Sequence, residues 1–399
     1  MKKQVVNNKH KKAWYTTLII AIFISLGIVF SLSYTNTKSL FKINSDASML
    51  DKEKPMVVIP NFSDNEQNIR FNWFDVFSTD ISNIDLREAS DKIKYMSFDD
   101  KTIFPSNDKM PSNFNPQAIL ESGKNPGLGI KNLHTKGITG KGVTVAIIDN
   151  ALNIDHKEIK DNIVHYEKLG HPVENYHGPA VSSLLCGKTV GVAPDVKLVY
   201  FASSFLPKEN ENKQFSFDND ILALNKILEM NSHLPKDKKI SAVSISRGWY
   251  GDDKEFKEVV SKLIDSGVFV FTANANDYYN GFPGTMFLAR NPDSDPDDVQ
   301  SYFAAFDYPA NEFLFVPSGN RTTASHMAND SYMYWGARNG GISWQMPYVV
   351  GMWALAKQVY PDLQPKQFIE IMMQTAYKTY KGENIINPTK IIKYLKSKQ

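Results

Sequence analysis

Four polar residues, Asp149, His177, Asn276 and Ser343, could together perform acyl transfer. A serine hydroxyl is a poor nucleophile until a base takes its proton, and an imidazole base needs a carboxylate that fixes its tautomer and stabilises its cation. The oxyanion of the tetrahedral intermediate needs hydrogen-bond donors aimed at it. In that chemistry Asp149 would be the orienting carboxylate, His177 the base, Asn276 an oxyanion donor and Ser343 the nucleophile.

The elements that would position these residues are predicted from short β-branched apolar runs separated by helix-like segments. This alternation favours a doubly wound, mainly parallel α/β sheet with helices on both faces. The predicted strands cover residues 143–148, 196–201, 241–245 and 268–271, and the predicted helices cover residues 178–185, 220–230, 255–265 and 344–359.

Polar or small residues follow three of the four predicted strands. Functional groups in an open parallel sheet gather beyond the carboxyl ends of its strands. Asp149 follows the first strand, and the third is followed by a segment that could present backbone groups to an extended peptide, Ser246-Arg247-Gly248. The fourth strand leads into small residues and amides, which leave room for a ligand: Ala273, Asn274, Ala275 and Asn276.

Two predicted helix starts carry the remaining chemistry. One helix is predicted to begin at His177, with Pro179 compatible with its first turn, and another to begin just after Gly341. Ser343 would then lie at a helix N-terminus, where unpaired amide N–H groups and the helix dipole favour an adjacent negative charge. Taken singly, the four residues also fit structural roles, as a capping serine, a structural histidine, a turn carboxylate and a turn asparagine.

In type, order and spacing, four segments between about residues 125 and 380 resemble those of subtilisin-type serine peptidases, the subtilase family. The segments run from Lys141-Gly142-Val143 to Asp149, through His177-Gly178-Pro179-Ala180-Val181 and residues 268–276, to Gly341-Ile342-Ser343 with Pro347 and Gly351. Two linking segments are similar as well, Gly191-Val192-Ala193-Pro194 and Val316-Pro317-Ser318-Gly319. Any one segment could arise by chance, whereas the ordered set is specific.

The resemblance implies hydrolysis of peptide bonds through an acyl-enzyme, with the roles already given for Asp149, His177 and Ser343. It places the oxyanion hole at the Asn276 side chain and the Ser343 backbone N–H, and Asn274 near the primary specificity pocket. The segment 246–248 falls at the substrate-binding strand, and residues 273–275 are expected to bind the substrate as well. Arg247 could select an acidic substrate side chain through a charge-assisted hydrogen bond, or it could be an exposed surface arginine.

The chain departs from the family pattern without losing a catalytic atom. Asn150-Ala151 follows the aspartate, Pro179 replaces a common Thr, and Trp344-Gln345 and Tyr348 stand where Met-Ala and His are usual. These departures keep open a competing hypothesis, a catalytically silent subtilisin-fold binding or regulatory protein. An α/β-hydrolase esterase is disfavoured, because the chain has the order Asp, His, Ser and lacks the Gly-x-Ser-x-Gly elbow.

Composition excludes several other classes. The 399 residues carry a net charge of +2, which provides no broad basic field for nucleic acid. The single cysteine, Cys186, excludes an intramolecular disulfide framework and is expected to be a buried core residue. No cofactor is required for the predicted chemistry. An acidic loop could hold a structural calcium ion or be simply solvated, and its carboxylates are Asp293, Asp295, Asp297 and Asp298.

The N-terminus favours an uncleaved membrane anchor over a cleavable signal peptide, whose apolar region would be shorter. Five lysines precede residue 13, and residues 13–34 form an uncharged, mainly apolar run long enough to cross a bilayer. The charge bias puts residues 1–12 in the cytoplasm and everything after about residue 35 outside a bacterial membrane. Residues 35–124 are then expected to be a stalk plus a small or partly ordered domain, in which 43–124 could be a removable propeptide or a permanent spacer, and residues 125–399 the peptidase domain.

Overall fold

The computed structural model describes residues 74–93, 95–204, 216–248, 253–305, 312–337 and 339–399. By its internal contacts the chain divides into residues 1–56 and residues 57–399, and every described residue belongs to the second unit. The predicted cytoplasmic tail, the predicted anchor at 13–34 and the predicted stalk as far as residue 73 lie outside the described residues. Among the helices of the described ranges, none combines the length and the apolar character that a membrane span needs.

The central sheet contains all four predicted strands. Its strands lie in the order β4-β5-β3-β6-β7, and every neighbouring pair is parallel. The strands are β3 (Thr144–Asp149), β4 (Ile163–Leu169), β5 (Lys197–Ser203), β6 (Ile240–Ile245) and β7 (Phe269–Thr272). The predicted strand ends are confirmed to within two residues, and β4 is an additional strand. All residues of β3 and β7 are buried, which requires cover on both faces of the sheet.

Helices supply that cover. The four predicted helices are confirmed as α4 (His177–Cys186), α5 (Asp218–His233), α6 (Lys254–Asp265) and α7 (Gln345–Val359). Helices α4 and α7 contact each other and β3, whereas α5 and α6 contact each other and the strands β5 and β7 respectively. The other helices are α1 (Ser90–Ile93), α2 (Pro116–Gly123), α3 (Ile130–Thr135), α8 (Pro365–Thr375) and α9 (Pro388–Lys396).

Two further sheets flank this centre. A five-stranded sheet has the order β13-β14-β10-β8-β9, with β8 (Thr285–Arg290), β9 (Tyr302–Ala304), β10 (Leu314–Pro317), β13 (Tyr377–Lys378) and β14 (Asn384–Ile385). A four-stranded sheet has the order β1-β2-β12-β11, with β1 (Phe74–Asp75), β2 (Met96–Asp99), β11 (Arg321–Ala324) and β12 (Tyr332–Trp335). These strands have at most six residues, too few to show a periodic apolar pattern.

The four-stranded sheet corrects the predicted domain boundary at residue 125. Strand β2 pairs antiparallel with β12, and helix α2 contacts β11. The side chains of Val76, Met96 and Phe98 are buried in the same hydrophobic cluster as the central sheet. Residues 74–124 are therefore part of the folded domain and not a separate stalk or small domain, because β2 pairs with β12, a strand more than two hundred positions later in the chain.

Candidate active site

Asp149 and His177 form the best-defined contact of the site. Asp149 ends β3 and has no exposed surface, and its Oδ1 atom lies 2.7 Å from Nδ1 of His177, the first residue of α4. The backbone N–H of Asn150 donates to the same oxygen at 2.7 Å. Burial raises the pKa of the Asp149 carboxyl, but the His177 ring and its hydrogen bond, the Arg247 guanidinium and the Asn150 N–H outweigh it, so that pKa lies below its usual range.

A glycine allows helix α4 to start this close to β3. A Cβ atom on Gly178 would lie 2.6 Å from the carbonyl oxygen of Ala151 and 2.8 Å from that of Asn150, closer than real Cβ atoms come. The side chain of Asn175 accepts a hydrogen bond from the His177 N–H at 2.8 Å. The His-Gly pair therefore sets the approach of the imidazole to the carboxylate.

Ser343 lies in a 3-10 turn, Ile342–Trp344, that runs directly into α7. This confirms the predicted position at a helix N-terminus. The Ser343 hydroxyl donates to the carbonyl oxygen of Ser246 at 3.3 Å, and the Ser246 hydroxyl donates to the carbonyl oxygen of Ser343 at 2.9 Å. This reciprocal pair ties the serine turn to the residue that follows β6.

The serine turn also contacts helix α4. The ring of Trp344, next to Ser343, lies 5.5 Å from the His177 ring, measured between centroids. The structure thus brings Asp149, His177 and the Ser343 turn into one place, with the Ser343 hydroxyl directed to Ser246. Hydrogen bonds between a nucleophile and its base are often long or misaligned before a substrate binds.

The structure corrects both interpretations of Arg247. Its side chain is only 11% exposed, and one guanidinium nitrogen lies 2.8 Å from Oδ1 of Asp220, which is 1% exposed. Another guanidinium nitrogen donates to the carbonyl oxygen of Ser203 at 3.0 Å and contacts Asn150 Oδ1 at 3.4 Å. Arg247 is therefore neither a surface arginine nor a free cation for a substrate carboxylate. Sequence reasoning missed Asp220, whose only visible signal was its place near a helix start.

The segment after β7 lies beside the end of β6. The Ala273 N–H donates to the carbonyl oxygen of Arg247 at 3.0 Å, and a Cβ atom on Gly248 would lie 2.4 Å from Oδ1 of Asn274. The Asn274 side chain is thus held against Gly248. Ala275 is buried at the start of a 3-10 helix, Ala275–Asp277, in which Asn276 is exposed. The assignment of Asn276 over Asn274 as the oxyanion donor stays a prediction.

The unusual residues around Ser343 fill the interior. Trp344 is 2% exposed, and Gln345 and Tyr348 have no exposed surface. Trp344 also meets Trp335 edge to face, with centroids 5.3 Å apart. These departures from the family pattern therefore change the packing behind the nucleophile and do not line an open cleft.

Two other predicted features, Cys186 and the acidic loop, form hydrogen bonds with nearby residues. Cys186 is buried and donates to the Ser182 carbonyl at 3.3 Å, and burial raises the pKa of its thiol. In the acidic loop, Oδ1 of Asp297 accepts the Gly129 N–H at 2.9 Å and Oδ1 of Asp298 accepts the Gln300 N–H at 2.9 Å. Within the described ranges, no group of three or more His, Cys, Asp or Glu side chains is arranged to hold a metal ion. Calcium binding by this loop stays a prediction.

Comparison with known proteins finds that part of the chain is similar to one protein family. Residues 140–337 match the subtilase family, a region that includes Asp149 and His177 and ends before Ser343. The chain is 23% identical over 293 residues to the subtilisin-like protease PopC of Myxococcus xanthus, covering 63% of this chain and 58% of PopC. It is 26% identical over 156 residues to the major intracellular serine protease of Bacillus subtilis, covering 36% of this chain and 45% of that protein. The chain thus matches about half the length of these curated relatives.

Solved structures show the same fold. A chain of the subtilase cytotoxin SubAB assembly aligns with a TM-score of 0.52 at 16% identity, over 68% of this chain and 96% of that one. The A-subunit of the AB5 toxin from E. coli aligns with a TM-score of 0.51 at 16% identity, over 68% of this chain and 98% of that one. The fold is therefore subtilisin-like, as the sequence predicts.

Proposed function

We propose that this chain, which carries a subtilase-family domain over residues 140–337, is a serine endopeptidase that cleaves proteins or peptides outside the cytoplasm. The observation that carries the proposal is the 2.7 Å contact between Asp149 and His177, formed beside the turn that presents Ser343 at the start of α7. A buried carboxylate paired with an imidazole next to a serine at a helix N-terminus fits acyl transfer.

In this mechanism the four residues divide the steps of acyl transfer among them. The Asp149 carboxylate accepts the Nδ1–H of His177, which leaves Nε2 free to take the proton of the Ser343 hydroxyl as its oxygen attacks the substrate carbonyl. The Ser343 N–H and the Asn276 amide donate to the oxyanion of the tetrahedral intermediate. His177 then returns the proton to the leaving amine, and water releases the acyl group by the same route.

The substrate is proposed to lie extended along the residues that follow β6. Ser246 is hydrogen-bonded to the Ser343 turn, and Gly248 and Asn274 lie against each other next to it. Residues 246–248 and 273–275 thus lie next to each other beside the turn that bears Ser343. An extended peptide could pair there with the backbone, with its scissile bond over Ser343.

We further propose that the enzyme is anchored in a bacterial cell membrane by a single span. The support is in the sequence alone, five lysines before residue 13 and an apolar run over residues 13–34. In this arrangement residues 1–12 are cytoplasmic and the peptidase domain faces outward.

One observation favours the competing function, a catalytically silent binding protein of the same fold. The Ser343 hydroxyl donates to the Ser246 carbonyl, and bulky side chains at Trp344 and Tyr348 fill the interior behind it. A substrate-free enzyme can show the same hydroxyl orientation, so the choice requires a direct measurement.

Active-site labelling separates the two functions. The full chain, purified in detergent, is treated with a fluorophosphonate, and the labelled peptide is mapped by mass spectrometry. We expect stoichiometric labelling of Ser343 that is lost in Ser343→Ala and His177→Ala and kept in a matched surface control, Ser232→Ala. A folded wild-type protein that takes no label would support the binding function.

A further inference from the structure

A hydroxyl from strand β2 contacts the backbone that leads to Ser343. The Ser97 side chain is fully buried, and its oxygen accepts hydrogen bonds from the Gly336 N–H at 3.0 Å and from Nδ2 of Asn339 at 2.5 Å. The Asn339 amide also donates to the Asp75 carboxylate of β1, and Ser97 hydrogen-bonds the same carboxylate. All the hydrogen-bonding capacity of the Ser97 hydroxyl is thus used between β1 and the approach to the serine turn.

Close backbone packing fixes the same stretch of chain. A Cβ atom on Gly336 would lie 2.3 Å from the carbonyl oxygen of Tyr95 and 2.9 Å from that of Met96. On the Ser343 side, a Cβ atom on Gly340 would lie 1.8 Å from the Ser318 carbonyl oxygen. The backbone at these two glycines is therefore confined, at Gly336 by the start of β2 and at Gly340 by the end of β10.

Aromatic contacts connect the two regions a second time. The Phe77 ring lies 5.0 Å from that of Trp335, Trp335 lies 5.3 Å from Trp344, and Trp344 lies 5.5 Å from His177. Phe77 lies two residues after the end of β1. A row of ring contacts therefore runs from the N-terminal strands to the imidazole of the proposed active site.

Removal of strands β1 and β2, which provide these contacts, would expose buried apolar side chains to solvent. Residues 74–99, which we call the N-terminal layer, pair with β12 through Phe98 opposite Tyr334 and bury Val76, Met96 and Phe98 almost completely. Burying side chains of this size removes apolar surface from water, which stabilises the fold.

We propose that the N-terminal layer is a permanent part of the catalytic unit, that Ser97 is a positioning residue for the turn bearing Ser343, and that any proteolytic maturation cuts before residue 74. The effect on turnover rests on the proposed peptidase function. The structural role of the layer and the position of the cut do not.

The first test compares Ser97→Ala with a matched control in the same layer, Ser82→Ala, whose hydroxyl donates to Asp80 within the layer at 2.6 Å. We expect Ser97→Ala to slow fluorophosphonate labelling of Ser343 and kcat about tenfold, with KM within about twofold, because a lost buried hydrogen bond releases the turn. Amide exchange at Gly336 should be faster in Ser97→Ala alone. Wild-type labelling and wild-type Gly336 exchange in this variant would overturn the positioning role.

The second test needs no variant. The full chain is expressed, and the N-terminus of every fluorophosphonate-labelled species is determined by mass spectrometry. We expect each labelled species to begin at or before residue 74, and a labelled species that begins after residue 74 would overturn the proposal. If Ser343 takes no label, the peptidase function fails, and limited proteolysis then tests the structural role of the N-terminal layer. A folded fragment that has lost residues 74–99 would refute that role, and a folded fragment that keeps them would support it.

Discussion

The Nδ1 atom of His177 lies 2.7 Å from the Oδ1 atom of Asp149, a carboxylate with no exposed surface and a pKa below its usual range. A carboxylate that stays ionised while buried holds the imidazole in one orientation and stabilises the cation formed when the ring takes a proton. The pair therefore has the electrostatic character that general-base catalysis requires. Loss of the Asp149 charge should accordingly lower kcat.

Asp149→Asn should lower kcat about 10³–10⁴-fold with little change in KM, because an amide favours the wrong imidazole tautomer without changing the size of the side chain. Steady-state hydrolysis of a peptide substrate measures both constants. Asp161→Asn, which changes an exposed carboxylate, is the matched control. A fully active Asp149→Asn enzyme would contradict the assigned role.

Asn276→Ala should lower kcat about 10²–10³-fold, the usual loss when one oxyanion donor is removed. Asn274→Ala should instead act mainly on KM, because the Asn274 side chain lies against Gly248 beside the proposed substrate strand. Parallel kinetics on the two variants provide the comparison. Equal losses of kcat would show that the alignment of this segment is wrong.

Arg247→Met should destabilise the fold by about 3–5 kcal/mol, because it leaves the Asp220 carboxylate, 1% exposed, without its cation. The double variant Arg247→Met with Asp220→Asn should recover part of that loss. Urea denaturation of both variants and of Asp220→Asn completes the cycle. Strict additivity of the two single changes would argue against a coupled pair.

The ion pair also bears on specificity. Because the Arg247 cation is already paired with Asp220, cleavage of a peptide library should show no preference for Asp or Glu that depends on Arg247. The library is cleaved by wild type and by Arg247→Gln. An acidic preference present only in the wild type would restore the selecting role for this residue.

His156 should make the fold less stable in mild acid. Its Nε2 lies 2.9 Å from the Ser331 carbonyl and its Nδ1 accepts the Glu158 N–H at 3.2 Å, an arrangement that requires the neutral ring. Burial lowers the pKa of the His156 imidazole, so the unfolded chain binds the proton more readily than the folded one. This stabilisation is present above about pH 6.5 and is lost as the pH falls towards the folded pKa.

The measurement is the free energy of unfolding of wild type and His156→Gln, about one pH unit above and one below 6.5. We expect the advantage of the wild type to shrink at the lower pH. Other histidines titrate in both proteins and cancel in the difference. A constant difference across this range would mean that His156 accepts a proton equally well in both states.

The central sheet could be predicted because buried parallel strands need apolar residues on both faces. Such strands appear in the sequence as uninterrupted runs, of which residues 144–148 are an example. Asp149 and His177 stood out for a related reason, since a polar residue directly after such a run, or at the start of a helix, lies at the functional edge of the sheet. These signals are local, so a single sequence contains them.

The remaining features depend on residues far apart in the chain. Arg247 was misjudged because its partner, Asp220, lies on a helix that packs beside it only after folding. The sequence predicts a stalk and a small or partly ordered domain at residues 74–99, because the short strands β1 and β2 carry no periodic pattern. In the fold, Ser97 meets Gly336 across 239 positions of sequence.

Local patterns of burial and spacing are thus enough to predict the parallel α/β centre, the polar residues at its strand ends and their resemblance to a serine peptidase. The contact of Asp149 with His177, the pairing of Arg247 with Asp220 and the hydrogen bonds from the N-terminal layer to the approach to Ser343 become visible only in the folded chain. Hydrogen bonds and ion pairs of this kind depend on distances of a few ångströms between elements, and those distances exist only when the whole core is packed.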